Sequence, residues 1–432
     1  MAIPSAALEA GTGSAAAAGT VAVVAPDNEC RYAAALVCQG WQPVAVDLAP
    51  RLRPPAASTT PDAPGYAHRL EHTGSLKHTV KSLRELEVSA VVAGSAAGIP
   101  LAERVARTLR LTGADPDASL LRHDRGAQAA TLEQTGLPAL RSVRTTSLAE
   151  ALTWAENHRL PAYMLAPAAA GVPVEPVVCE HEVQISATWP SMRREAAHHS
   201  GDEHLVVAEY LSGRRYLVNS VTRVVDGQAD HVVTDVWAET RASSGRLART
   251  DLLSRHQLLT RALHMYVLRV LDALGVVCGP VTSRIAYAAD RGPVLLSAVA
   301  LPDTSPADRA LREATGHDRL AAALDVVIPP APGQLISAPT GHRVTRVHLH
   351  PRLSGRIDPW TARILRGLPT VAAVSPDLQA TAPAAPPART EVVLSSSEPD
   401  AIEGDYRIIR ALERECLYLA AADAPHRFER PT

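Results

Sequence analysis

The strongest constraint on what this chain can fold into is the order of its apolar runs, in which strands and helices alternate at the start and hairpins follow. The run TVAVVAP begins at Thr20, a helical stretch spans Asn28 to Gln39, and QPVAVDL comes next. Strand, helix and strand joined by short connections predict a parallel βαβ unit. A helix around Lys77 to Leu86, the run SAVVAG and a helix from Leu101 to Leu109 extend it into an open α/β lobe over 20–112. Pro54 to Pro64 reads as a loop, and the Ala-, Gly- and Ser-rich lead-in over 1–19 reads as disordered.

From Gly113 the pattern changes. Helices are expected at Arg125 to Thr135 and at Leu148 to Asn157, the latter capped by Ser147, and PAYMLAP reads as a strand. The runs HLVVAEYL, RRYLVNSVTRVV and ADHVVTDVWAE are separated by Ser-Gly or Asp-Gly signals, which predicts an antiparallel meander. An amphipathic helix from Leu258 to Leu274 ends at Gly275, and the strands VTSRIAYA and PVLLSAVAL flank an ADRG turn. These segments make a region over 113–302, divided into 113–200 and 201–302. Beyond Pro302, the patch IPPAP, the strand VTRVHLH, a helix near Thr361 to Arg366 and a helix from Asp405 to Cys416 outline a C-terminal lobe over 303–432. In VTRVHLH the alternation puts Val347 and Leu349 on one face and His348 and His350 on the other, as in a half-exposed strand. The proline-rich stretch Ala380 to Ala388 reads as mobile.

Composition narrows the functional classes. A net charge of −2 and a pI near 6.8 give no general attraction to nucleic acid or to an anionic membrane. No stretch of eighteen apolar residues is free of charge or proline, and the N-terminus lacks a basic start with a compact apolar run, so neither a membrane span nor a secretory signal is expected. Five scattered cysteines in a chain of 432 residues read as reduced thiols of a cytoplasmic protein. The histidine pairs His198/His199 and His348/His350 have no cysteine or acidic partner at zinc-like spacing. A nucleophile elbow, a CxxC pair and a P-loop are all absent from the sequence.

Five local matches occur in one order: VVAGSAAGIPLAERVARTL with LRHDR, then AEYLSG, then YLVNSVTRVVDGQADHVVTDVW, then VLDALGVVCGPVTSRI, and finally GPVLLSAVALP. Together they resemble the ATP-grasp superfamily, and within it the carboxylate–amine ligases that join amino acids in bacterial specialised metabolism. The resemblance implies an α/β protein with a Rossmann-like N-terminal lobe, a two-part ATP-grasp fold and a small α+β C-terminal lobe. It also implies ATP and Mg²⁺ as cofactors, an acyl phosphate attacked by an amine, and a homodimer. Phosphoryl transfer needs positioned cations and backbone donors more than covalent help from the protein.

Carried over residue by residue, the resemblance places the first phosphate-contacting lysine of the family at Arg125, which keeps the charge. The second falls at Ala166, which does not, and Lys77 and Lys81 are the only lysines in the chain. The phosphate-closing loop reads AAAGVPVEP, with one glycine and two prolines, and is stiff and short of donors. Ala208, Glu209, Tyr210 and Leu211 form the adenine hinge, where backbone groups do most of the work. The ribose-binding glutamate is replaced by Arg215. Thirteen residues separate Arg284 from Ser297 and two more reach Val299, matching the spacing of the family's two acidic metal ligands and asparagine. The arginine that often follows is Leu301.

These substitutions predict weakened ATP binding and no Mg²⁺ bound in the family's manner. Arg284 and Arg215 are open to two readings, as solvated surface charges or as guanidinium groups that replace the cations and hold an anion without metal. The function they imply is a catalytically degenerate ATP-grasp protein that serves as a ligand-binding module or as a partner of an intact ligase. The alternatives are an active ATP-dependent ligase whose metal ligands come from elsewhere, and a structural subunit that binds no nucleotide.

Overall fold

A computed structural model describes residues 18–27, 30–56, 65–242, 245–303, 305, 307–328, 339–350, 358–375, 390–415 and 417. The lead-in up to residue 17, most of the Pro54 to Pro64 loop, the IPPAP patch beyond Ile328 and the stretch Ala380 to Ala388 lie outside these residues.

The N-terminal lobe contains strands β1 (Thr20–Val24), β2 (Gln42–Leu48), β3 (His68–His72) and β4 (Val88–Ala93), with helices α1 (Tyr32–Cys38), α2 (Leu76–Glu85) and α3 (Ile99–Leu109). The sheet is parallel in the order β3-β2-β1-β4. Ala22 and Val24 of β1 face a core with α2 and α3, while Val21 and Val23 face α1 on the other side, so this central strand is apolar at every position. Two expectations are corrected here. The helix expected from Asn28 begins at Tyr32, and β3 was not anticipated because HRLEH is a polar edge strand with little hydrophobic signal.

A second, antiparallel sheet has the order β5-β8-β6-β7, built from β5 (Ser142–Thr145), β6 (Tyr163–Pro167), β7 (Val177–Cys179) and β8 (Leu205–Glu209). Its helices are α4 (Arg125–Gln134), α5 (Leu148–His158) and α6 (Glu182–Ser200). Ser147 accepts a hydrogen bond from the Glu150 N–H, as expected of an N-cap. Helix α6 was missed because Pro190 interrupts it, although Ile185, Trp189, Met192 and Ala196 bury one face at helical spacing.

The third sheet has eight strands in the order β13-β12-β9-β10-β11-β14-β16-β15, all paired antiparallel. It starts with β9 (Arg214–Val225), β10 (Gln228–Arg241) and β11 (Leu247–Leu252), and α7 (Leu258–Ala273) packs against it. The strands β12 (Gly279–Ala288) and β13 (Gly292–Val299) follow, then α8 (Asp308–Thr315) and α9 (Arg319–Leu324). The last elements are β14 (Arg343–Leu349), α10 (Pro359–Arg366), β15 (Val371–Val374), β16 (Thr390–Ser396) and α11 (Pro399–Glu415). The expected three-run meander is therefore corrected. The run HLVVAEYL pairs with β5 and β6 in the second sheet, while β9, β10 and the unanticipated β11 form the meander. VTRVHLH is not half-exposed either. It lies between β11 and β16 with both faces covered: Thr345, on the face of Val347 and Leu349, donates to Asp251, and Arg346, on the histidine face, donates to Glu391.

Candidate ligand site

The antiparallel pairing of β12 with β13 sets Arg284 directly opposite Ser297 and Thr282 opposite Val299. A bulge between Arg284 and Ile285 makes this so. From Ile285 to the turn paired positions sum to 580, as in 285 with 295, and from Arg284 back along β12 they sum to 581, as in 284 with 297. Ser297 and Val299, two apart on one strand, face the same side. Arg284, Ser297 and Val299, expected from the sequence to stand at the family's metal positions, thus converge, and they offer a guanidinium, a hydroxyl and an isopropyl group.

Sequence reasoning missed the carboxylate that answers Arg284. Glu239 on β10 is buried, and its Oε1 lies 4.0 Å from Arg284 Nη1, while its Oε2 accepts a hydrogen bond from Arg241 Nη2 at 3.1 Å. Burial pushes the Glu239 carboxyl up, but the charges of Arg284, Arg241 and Arg215 outweigh it and hold the group below the usual carboxylate range. Arg215 sits with its guanidinium 5.8 Å from the Tyr210 ring centroid, a cation–π contact at the hinge. Burial and then the nearby Arg241 charge lower Arg215.

Arg125 opens α4. Its Nη1 donates to the Pro167 carbonyl at 2.5 Å and to the Ala169 carbonyl at 2.7 Å. Burial first, then the Arg284 charge, bring it down to about 10, which places the two guanidinium groups within each other's field. Ala166 lies fully buried in β6 opposite Val206, so no charge replaces the second lysine there. Arg215, Arg241 and Arg284 therefore share the buried Glu239, while Arg125 lies in the field of Asp124 and Glu175.

The loop after β6 is fixed by backbone bonds. Ala168 N–H donates to the His204 carbonyl, Ala170 N–H to the His123 carbonyl at 2.6 Å, and the Ala168 carbonyl accepts from Arg125 N–H. Gly171 has φ +79°, and a Cβ placed there would come within 3.1 Å of Val299 Cγ2 and 3.6 Å of Ala96 Cβ. The loop thus rests against β13 at Val299, with two of its donors already used.

At the hinge, Ala208 is buried in β8, paired with Ser142 and Met164. The Glu209 side chain, expected to contribute only backbone, is held by salt bridges of 2.9 Å to both Arg141 and Arg291. Burial raises this carboxyl, but those arginines and the Arg141 N–H outweigh it and lower it. Glu209 N–H donates to the Arg141 carbonyl and Tyr210 N–H to the Ala162 carbonyl. Among the described residues Leu211 N–H has no backbone partner of this kind.

No protein-family model and no curated protein sequence matches the chain. Solved structures do. An L-amino acid ligase from Bacillus licheniformis is 14% identical with a TM-score of 0.72, covering 93% of this chain and 99% of its own. The fold is that of the ATP-grasp carboxylate–amine ligases. A carboxyaminoimidazole ribonucleotide synthase from Aspergillus clavatus, solved with ATP, is 12% identical with a TM-score of 0.67, covering 92% and 98%. A biotin carboxylase domain from Hydrogenobacter thermophilus, solved with ADP and magnesium, is 14% identical with a TM-score of 0.58, covering 93% and 90%. The fold class expected from the sequence, a parallel α/β sheet followed by antiparallel sheets, is thus present as an ATP-grasp fold. No helix among the described residues is long and apolar enough to cross a membrane.

Proposed function

We propose that this chain is an ATP-grasp protein that has abandoned metal-dependent phosphoryl transfer and holds an anionic ligand in its cleft through arginines. The observation that carries this reading is Arg284 set directly opposite Ser297, with Arg215 and Arg241 gathered beside it about the buried Glu239 and Arg125 within the field of Arg284. Divalent magnesium needs several oxygen donors in near-octahedral array, and this set offers one hydroxyl where three donors are needed. At 4 Å and an effective dielectric of 20, each pair of like unit charges repels by about 4 kcal/mol. The same field attracts a polyanion, and guanidinium groups recognise phosphate or carboxylate by paired hydrogen bonds. The residues therefore do not fit the family's metal. Such a protein serves as a ligand-binding subunit beside an intact ligase.

The test is calorimetric titration of ATP and of ADP with the whole chain, once in excess EDTA and once in magnesium, beside a phosphate-release assay over a panel of amino acids. Binding in EDTA as strong as with magnesium, no turnover, and a loss of at least tenfold in Arg284→Ala are expected. Sustained amino-acid-dependent phosphate release overturns the reading, and so does metal-free binding that survives Arg284→Ala.

A further inference from the structure

Two guanidinium groups of the arginine site are left unanswered. Arg284 on β12 pairs with Leu217 of β9, and Arg215 on β9 pairs with Ala286 of β12. Paired residues share a face of the sheet, as do residues two apart on one strand, so the two arginines project from the same face as diagonal neighbours at a spacing of about 7–8 Å. Among the described residues neither side chain donates a hydrogen bond. None of their nitrogens is sealed from solvent, with Arg284 38% exposed and Arg215 half-buried. Different anchors hold them, Glu239 at 4.0 Å for Arg284 and the Tyr210 ring at 5.8 Å for Arg215. The other two arginines are already committed. Arg241 donates to the Gly245 carbonyl at 2.9 Å and to Glu239 at 3.1 Å, and its Nε is sealed, while Arg125 is turned onto the Pro167 and Ala169 carbonyls.

Charge and geometry together set the chemistry of an occupant. Three guanidinium groups, Arg215, Arg241 and Arg284, share the single carboxylate of Glu239, which leaves two positive charges and two open forks. Each fork takes one carboxylate or phosphate by paired hydrogen bonds. A phosphomonoester carries about −1.5 to −2 on one group, so a single one supplies the charge but would need both forks to converge, away from the separate anchors that hold them. Two such groups bring roughly twice the charge the site can answer. Two carboxylates on one molecule satisfy both conditions, with one charge and one fork each. An ammonium group added to that molecule would face the same arginines and be repelled.

We propose that the ligand of this site is a small dicarboxylate with a short carbon chain, one carboxylate on the Arg284 fork and the other on the Arg215 fork. This rests on the reading of the cleft as an anion site and names the class of anion. Calorimetric titration of the full chain in excess EDTA, with glutarate, butyrate, glutamate and inorganic phosphate as probes, tests it. Glutarate should bind at least tenfold more tightly than butyrate, which offers one carboxylate, and more tightly than glutamate or phosphate. Arg215→Gln should bring glutarate down to the level of butyrate. Should that variant fail to fold, Arg215→Lys keeps the charge but loses the fork, and should weaken glutarate severalfold. Butyrate, glutamate or phosphate matching glutarate overturns the proposal, and so does glutarate binding that survives the loss of the Arg215 fork. ADP bound in EDTA and lost in Arg284→Ala, with no glutarate bound, overturns the dicarboxylate while the anion site stands. No anion bound at all overturns both.

Discussion

Arginines gather in two regions of this molecule, and the two are built on opposite principles. In the C-terminal lobe, Arg346 donates bidentately to Glu391 at 3.2 and 3.0 Å and to Asp303 at 2.6 Å, with Trp237 beneath it at 5.6 Å. Arg319 reaches Asp303 at 2.6 Å and Asp308 at 3.0 Å, with Asp235 at 3.8 Å. Both arginines are almost completely buried, and carboxylates outnumber them. In the candidate site, Arg215, Arg241 and Arg284 share Glu239, Arg125 adds its charge to the field at Arg284, and Arg284 is 38% exposed. The first arrangement uses charge to fix an interior, since a buried guanidinium survives only when fully answered. The second keeps positive charge in excess and within reach of solvent, an arrangement that serves ligand binding better than stability.

Removing one charge from the first region should therefore have the largest effect. Arg346→Met retains much of the volume but leaves Asp303 and Glu391 without their main partner, and should cost about 3–5 kcal/mol in urea unfolding. A cost below about 1 kcal/mol would break the comparison. Acid should act on the same region. Asp303 and Glu391 are buried, which raises them, but the flanking arginines outweigh burial and hold both below the usual carboxylate range. Their contribution is present above the unfolded values near pH 4 and is lost as pH falls through the folded ones. His348 is lowered by burial despite Glu391 at 3.3 Å, so the unfolded chain takes up its proton first and stability begins to fall below about pH 6.5. Asp308 is raised and opposes the trend, since protonation relieves its burial. Tm should decline steadily from pH 7 to pH 4, and a flat profile would contradict the assignment.

The cleft loop supplies an intermediate effect. At φ +79°, Gly171 occupies a backbone region that costs other residues roughly 1–2 kcal/mol. Gly171→Ala should lose that amount by thermal or chemical unfolding. The loss should shrink in the Val299→Ala background, where the 3.1 Å contact is removed. Equal losses in the two backgrounds would mean that the loop does not rest on β13.

Individual strands and helices were readable where their signals are local. A run apolar at every position marks the doubly covered β1, and helical spacing with Ser147 ahead marks α5. The site was readable only in part. The distance from Arg284 to Ser297 could be counted, but that they oppose one another depends on the bulge in the β12–β13 hairpin. Glu239 was hidden by a second bulge. The Asp226-Gly227 turn sets paired positions of β9 and β10 to a sum of 453, and the extra residue Thr234 shifts it to 454, which carries Glu239 from beside Arg214 to beside Arg215. Arg141 and Arg291 were invisible for another reason. They converge on Glu209 from different strand ends, and no period within either segment reports that meeting.

The smallest expected effect is the one that separates the two regions most sharply. Arg284 has its carboxylate 4.0 Å away, at the edge of an ion pair, and lies within the field of Arg125. Pairs this loose and this exposed contribute about 0–1 kcal/mol. Arg284→Ala removes a weak attraction and a like-charge repulsion together, so its unfolding free energy should stay within about 1 kcal/mol of the parent. Against that small change stands the loss of at least tenfold in anion binding, about 1.4 kcal/mol. A structural arginine such as Arg346 should reverse the order, with unfolding dominating. If Arg284→Ala destabilises the fold by several kcal/mol while leaving the anion bound, the cleft arginines belong with the buried network, and the excess of positive charge has been misread as a site.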